Sequence, residues 1–354
     1  MVLKIKIILT GGGSAGHVTP NLALVKYLRN ENFEIFYIGS YNGIEKELCE
    51  KNKINYYSIA TGKLRRYLSI KNIIDIKNIF LGIKQANDIV KKIKPDVLFS
   101  KGGFVSVPVV IACKINKVPI VIHESDVSPG LANKISCILA NKICCSFEET
   151  KKYIKKSIVT GPPIRDKLFF GDKEKARIKL NFDKRPVILV IGGSLGSLTL
   201  NSIVRKILYK LDNFQVIHIC GKNNLKKINL KNYREFGYVD QELSDFFSLA
   251  DIVISRSGSN AIFEILYLKK PNILIPLSKK ASRGDQILNA KIFEEKNFSR
   301  VIFEEELSDQ KLLDEITYLY KNKDKYIKTM TEKSGKNDSC ETILRIIKNL
   351  VLNK

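Results

Sequence analysis

Two short glycine runs constrain this chain most. Gly12-Gly13-Ser14-Ala15-Gly16 follows the apolar run Ile5–Leu9, and Gly192-Gly193-Ser194-Leu195-Gly196 follows the apolar run Val187–Ile191. They lie 180 residues apart in a chain of 354, about half its length. A glycine turn between a strand and a helix lets backbone N–H groups approach a ligand at the carboxyl edge of an open sheet. Spacing and context agree, so the chain reads as α/β, with two doubly wound Rossmann-like domains facing a cleft.

Strand and helix patterns alternate from end to end, as parallel sheets with helices on both faces require. Strands are expected at Ile5–Leu9, Phe33–Ile38, Ile54–Ile59, Asp96–Ser100, Val118–His123, Ile143–Ser146 and Ile158–Thr160. They recur at Val187–Ile191, Phe214–Ile219, Ile252–Ser255, Ile273–Pro276 and Ser299–Phe303. The longest helix pattern runs from Ile70 to Ile93 and is stopped by Pro95. Pro20 suits the first position of the first helix, with Gly11 to Thr19 as the turn before it. Gly161-Pro162-Pro163 cannot continue a strand or a helix and reads as a hinge. The expected division is therefore 1–160, 161–338 and a terminal helix, 339–354, that can pack back on the first domain.

The net charge of +24 is spread through a Lys-, Ile- and Asn-rich chain and accompanies no nucleic-acid-binding motif, so no nucleic-acid partner is expected. None of the seven cysteines has the C-x-x-C spacing of a zinc or redox site, which suits a reducing cytoplasm. The start reads as a strand and not as a signal peptide. No apolar run approaches the roughly 18 residues of a spanning helix.

Gly11 to Gly16 matches G-x-G-x-x-G, but the next strand ends Ile38-Gly39-Ser40 without a carboxylate. A nicotinamide dinucleotide site needs that acid for its ribose and is disfavoured. Ser194 and its flanking glycines are the stronger phosphate candidate. They would share a cleft with Ser255–Asn289, where two strands end in small and polar residues just where helices start. Glu264 and Gln286 there suit sugar hydroxyls. His17 follows the first glycine turn and can serve as a general base or order the loop. Glu124 and Asp126 end another strand on the same rim. His218 lies mid-strand and reads as core. Arg165, after the hinge prolines, can clamp a diphosphate or make a surface salt bridge.

Several segments together resemble one family. Gly12 to Pro20, Gly102-Gly103-Phe104-Val105-Ser106-Val107-Pro108, His123-Glu124 with Pro129 to Lys134, and Gly161 to Arg165 are similar to successive segments of the MurG family of N-acetylglucosaminyltransferases. So are Gly192 to Gly196, Ser255-Arg256-Ser257-Gly258 with Glu264, and Asp285 to Ala290. The order is kept over nearly the whole chain. The resemblance implies the GT-B glycosyltransferase fold, UDP-N-acetylglucosamine as donor and an undecaprenyl-diphosphate-linked muramyl pentapeptide as acceptor. It implies an inverting transfer to the muramyl 4-hydroxyl, the step from lipid I to lipid II of peptidoglycan synthesis, with no metal or other cofactor required.

By the same resemblance Glu264 holds the ribose, and Ser259, Asn260, Ala261, Ile262 and Phe263 line the uridine and the helix start. Val239 lies against the uracil, and Ser194 and Arg165 contact the diphosphate. Gln286 binds the sugar, Ser14, Ala15 and Gly16 border it, Asn133 contributes from the third segment, and His17 is the favoured base. Three departures matter. Ser125-Asp126 stands where the family usually has Gln-Asn, which makes Asp126, with Glu124, a competing base. Asp285-Gln286 replaces a Gln-Gln pair, and Pro162 replaces the hinge Asn. Because the acceptor's lipid stays in its bilayer, a peripheral position on the cytoplasmic face of the bacterial membrane is expected. Lys63-Leu64-Arg65-Arg66-Tyr67-Leu68 and the Ile-rich helix up to Ile93 are offered as the contact with anionic lipid. A UDP-N-acetylglucosamine 2-epimerase, or another nucleotide-sugar enzyme of the same plan, is the alternative.

Overall fold

The computed structural model describes residues 4–62, 70–193 and 195–352, excepting the side chains of 70–74. Ser194 and the basic run Lys63–Leu68, both singled out above, lie outside the described residues. The chain forms two compact units, one of residues 1–165 with 337–354 and the other of 166–336.

The first unit holds β1 (Ile5–Thr10), α1 (Ala15–Asn30), β2 (Phe33–Ser40), α2 (Ile44–Lys51), β3 (Asn55–Ile59) and α3 (Ile70–Ile93). β4 (Val97–Ser100), α4 (Ser106–Ile115), β5 (Ile120–Glu124), α5 (Leu131–Leu139), β6 (Lys142–Cys145) and β7 (Ile158–Val159) follow. Its seven strands pair in parallel in the order β3-β2-β1-β4-β5-β6-β7. Consecutive residues of β1 point to opposite faces, and both faces are buried. Ile7 and Leu9 pack with Leu24, Leu28 and Phe99, whereas Ile8 packs with Ile38, Leu98 and Ile122. This is why the strands read as continuous apolar runs.

The second unit comprises α6 (Lys173–Leu180), β8 (Val187–Ile191), α7 (Leu198–Ile207), β9 (Gln215–Ile219), β10 (Tyr233–Phe236), α8 (Leu243–Leu249) and β11 (Ile252–Ser255). It continues with α9 (Ser259–Tyr267), β12 (Asn272–Leu274), α10 (Asp285–Glu295), β13 (Arg300–Val301), α11 (Asp309–Lys321) and α12 (Lys323–Lys333). The sheet order, β10-β9-β8-β11-β12-β13, repeats the plan of the first sheet. In both sheets the glycine-bearing strand sits at the point where the strand order reverses, the place where open α/β sheets bind ligands. The last helix, α13 (Ser339–Leu352), belongs to the first unit. Its Ile343 and Ile347 enter that unit's core, Ser339 Oγ donates to Pro162 O at 2.7 Å, and Lys348 pairs with Glu31 at 2.6 Å.

Three local expectations are corrected. Helix α1 starts at Ala15, with Ser14 as its extended N-cap, so Pro20 lies inside the helix and His17 in its first turn. At the sixth helical position Pro20 supplies no N–H to the carbonyl four residues back, and the helix continues past it to Asn30. Helix α2 and strand β10 were not anticipated, both being short. The end of β2 does carry a carboxylate, delivered by α2: Glu45 Oε1 accepts from Ser40 N at 3.1 Å and from Ser40 Oγ at 2.5 Å. Glu45 is fully buried against Gly12, however, so it is withheld from any ribose.

Candidate active site

In the first unit the loops after β1 and β4 meet. Gly13 has φ +84°, and a Cβ there would lie 2.5 Å from Phe104. A Cβ on Gly103, also at φ +84°, would collide with Gly12 O. Both loops therefore need glycine, for conformation and for space. The first loop is fixed from below: Tyr37 Oη donates to Gly11 O at 2.5 Å, and Asn21 Nδ2 donates to Thr10 O at 3.0 Å. His17 lies beside Gly103, and its Nδ1 is 2.9 Å from Ser14 Oγ. With Nδ1–H donated to that oxygen, Nε2 keeps its lone pair for a substrate proton. Ser14 thus acts on His17, while Ala15 and Gly16 open the helix.

At the end of β5 the two candidate carboxylates differ. Glu124 is 3% exposed. Its Oε1 accepts from Asp126 N at 2.9 Å, and its Oε2 accepts from Asn133 Nδ2 at 2.9 Å and Gly130 N at 3.3 Å. Such a carboxylate organises a turn. Asn133, buried at the start of α5, is its partner. Asp126 is half-buried and displayed on that turn. Beneath it lies a side chain that sequence reasoning passed over. Lys101, 1% exposed, places Nζ 2.7 Å from His123 Nδ1 and donates to Ser125 Oγ. Arg165 is half-buried and closes this unit.

The second unit has its own cavity of about 420 Å³, lined by Gly193, Leu198, Arg256, Ala261, Gln286 and Glu304 among others. That is within the range of sites for drug-sized ligands. Two helix N-termini, those of α7 and α9, open onto it. Gly193 (φ +91°) and Gly196 (φ +78°) shape the approach to α7, and a Cβ on Gly196 would collide with Cys220 O. Ser197 caps α7 by accepting from Leu200 N. In α9 the ladder begins with Ile262 N donating to Gly258 O, so Ser259, Asn260 and Ala261 form the first turn. Converging positive helix ends suit a diphosphate.

The remaining expected residues separate by side chain. Ile262 and Phe263 are buried in the core, Phe263 edge-on to Phe293 at 5.4 Å. Only their backbone belongs to the helix start. Glu264 is half-buried in the second turn of α9. Gln286 Oε1 accepts from Leu277 N at 3.1 Å, and the residue lines the cavity. Val239 is half-buried beyond the end of β10 and is not among the cavity's lining residues. His218 is buried between Tyr233 and Asn201, and burial lowers its pKa from 6.5 to about 4.

Arg256, in the Ser255-Arg256-Ser257-Gly258 segment, carries no local spacing signal for its role. It is 6% exposed and joins three loops. Its guanidinium donates to Ile275 O at 2.9 Å, Pro276 O at 3.3 Å, Ser197 Oγ at 2.6 Å and Glu304 Oε1 at 2.5 Å. Glu304 in turn accepts from Ser278 N at 3.0 Å. Burial opposes its ionisation, but Arg256 and that N–H hold its carboxyl below the usual range.

Comparison with known proteins gives these loops a common context. The glycosyltransferase family 28 N-terminal domain matches residues 7–145, and its C-terminal domain matches residues 187–343. A UDP-N-acetylglucosamine–N-acetylmuramyl-(pentapeptide) pyrophosphoryl-undecaprenol N-acetylglucosamine transferase of Clostridium tetani is 53% identical over 341 residues, covering 95% of each chain. That of Clostridium perfringens strain SM101 is 54% identical over 351 residues, covering 98% of each. Among solved structures, Acinetobacter baumannii MurG matches with a TM-score of 0.76 at 21% identity, over 98% of this chain and 99% of that one. A UDP-N-acetylglucosamine 2-epimerase from Listeria monocytogenes, so described with the qualifier of an unproven assignment, reaches 0.72 at 13% identity, over 99% and 98%. At such identities the structural matches speak for the fold alone, and the fold is shared by transferases and epimerases. The near relatives decide between them: the chain belongs to the MurG family of N-acetylglucosaminyltransferases, within glycosyltransferase family 28.

Proposed function

We infer that the chain moves N-acetylglucosamine from UDP-N-acetylglucosamine to the muramyl 4-hydroxyl of undecaprenyl-diphosphate-linked muramyl pentapeptide, the step from lipid I to lipid II. The observation that carries the donor half is the 420 Å³ cavity onto which two helix N-termini open at the switch point of the second sheet. In this reading Glu264 accepts the ribose hydroxyls, Gln286 donates to the sugar, and the first turns of α7 and α9 take the diphosphate. Ser194 and Arg165 are assigned to the same diphosphate, and Val239 to the uracil.

The reaction is one displacement. His17 takes the proton from the acceptor 4-hydroxyl through Nε2, with Ser14 fixing its tautomer. The oxygen bonds to the anomeric carbon as the bond to the β-phosphate breaks, and UDP leaves with the electron pair. The configuration inverts. Fixed helix dipoles stabilise the growing phosphate charge without reorganisation. Asp126 supports the acceptor side as a charged neighbour of the reacting hydroxyl, and Glu124 holds the turn that carries it.

Among the described residues no helix is long and apolar enough to cross a membrane. We place the chain peripherally on the cytoplasmic face. Helix α3 packs on α4 and α4 on α5. On α3, Ile76, Phe80 and Leu81 are exposed beside Lys77 and Lys84. On α5, Leu131 and Ile138 are exposed with Lys134 between them, and Ile115 is exposed at the end of α4. Apolar stripes edged by lysine suit an anionic bilayer surface. The test is UDP release by purified protein with and without the lipid acceptor. Acceptor-dependent release supports the reading. Donor consumption that ignores the acceptor would sink it.

A further inference from the structure

A lysine buried to 1% exposure is a costly choice where methionine or leucine would fill the space. Lys101 follows β4, immediately before Gly102, and its surroundings are built for a cation. His123 Nε2 donates to Gly161 O at 2.9 Å, so the neutral ring turns a lone pair on Nδ1 toward Lys101 Nζ at 2.7 Å. Burial, and then the lysine itself, hold His123 well below its ordinary pKa, which leaves the charge on Lys101. The ammonium also donates to Ser125 Oγ. Glu124 and Asp126, from the strand end and the turn above, and Cys144, from β6, face it and favour its charged form, while burial disfavours that form. The turn after β5 thus carries the Asp126 carboxylate close to a buried cation.

We propose that Lys101 is a positioning residue for the transfer reaction: its ammonium pins Ser125 and balances Asp126, so that the Asp126 carboxylate is presented to the acceptor saccharide. The inference rests on the proposed transfer activity. Its logic is pairwise. Lys101 matters because residue 126 carries a charge, so the lysine becomes dispensable when that charge is removed. A lysine that merely supports the fold would matter equally in both backgrounds.

The test is a double-mutant cycle on the full chain, with lipid-linked muramyl pentapeptide as the varied substrate. Lys101→Met is expected to lower kcat/KM for the acceptor roughly 10- to 100-fold, the range for losing a charge-assisted hydrogen bond. UDP affinity by calorimetry should stay within about twofold, because the cavity that takes the donor is lined by residues of the second unit, and Arg165, the donor contact assigned from the first, has no hydrogen bond to Lys101. In an Asp126→Asn background the same substitution is expected to cost less than about threefold. Ser125→Ala, which removes one partner and leaves the lysine buried, should lower acceptor kcat/KM in the same direction. Burial lowers the Lys101 pKa below the ordinary lysine range, against the pull of Glu124 and Asp126. Protonation, and with it the support of Asp126, is therefore present at low pH and lost, as pH rises, earlier than for an exposed lysine. Wild-type acceptor kcat/KM should show an alkaline limb below the ordinary lysine range that Lys101→Met abolishes. Equal losses in the two backgrounds, or an unchanged limb, would overturn the proposal. A wild-type protein that transfers no sugar would instead overturn the reading on which it rests.

Discussion

Replacing Arg256 by methionine tests how the donor cavity is held. The side chains of Arg256 and Glu304 are 7% and 15% exposed. The substitution removes four hydrogen bonds and leaves a buried carboxylate without its cation. Breaking a buried pair in this way costs about 3–5 kcal/mol. The loss should be local to the second unit, because the guanidinium ties only that unit's loops. It should appear as faster amide exchange, by the same free energy, in peptides of β8, β11 and β12. Ser197 caps α7 and accepts from Arg256 at 2.6 Å, so the helix end offered to the diphosphate also loosens. An anion at a helix N-terminus gains about 0.3–2 kcal/mol, so UDP affinity should fall up to roughly thirtyfold by calorimetry. Adding Glu304→Gln removes the stranded charge and should recover at least half of the lost protection. Exchange within about 1 kcal/mol of wild type, with unchanged UDP binding, would refute the reasoning.

Other expectations follow from single sites. His17→Ala should lower turnover about 10²–10⁴-fold while leaving UDP binding intact, and near-normal turnover would move the base to Asp126. Glu264→Ala should chiefly raise the donor dissociation constant, and an unchanged constant by calorimetry would remove the ribose assignment. His218 is neutral in the fold, with its pKa lowered from 6.5 to about 4 by burial. Below pH 6.5 the unfolded chain binds a proton that the folded unit refuses, so stability is full above 6.5 and falls by on the order of 3 kcal/mol toward pH 4. His218→Gln should flatten that part of the urea-midpoint profile. Phe80→Ser with Ile138→Ser should reduce co-sedimentation with anionic vesicles severalfold, and equal binding would clear this face.

The sheets were legible because both faces are covered, which makes their strands continuous apolar runs between glycine turns. The donor loops were legible for a related reason, since a glycine is needed wherever backbone must approach a phosphate. What escaped was long-range. Arg256 reaches Ser197 and Glu304 across 59 and 48 residues, and Lys101 reaches His123 across 22, with no local spacing to mark them. Glu45 escaped because it arrives from an eight-residue helix just after the strand whose end it occupies. Ile262 and Phe263 could have been read better. With Ile265 and Leu266 they form an i, i+3, i+4 apolar stripe, which marks a core face. Pro20 misled because proline favours a first turn, whereas here the extended Ser14 starts the helix five residues earlier.

The most direct measurement is the product itself. Purified protein would be given labelled UDP-N-acetylglucosamine and the undecaprenyl-diphosphate-linked muramyl pentapeptide, and the lipid fraction analysed by NMR and by label. The expected result is one N-acetylglucosamine on the muramyl 4-oxygen in the β configuration for each UDP released. Label remaining in a nucleotide sugar of changed configuration at C2, with no sugar on the lipid, would contradict it.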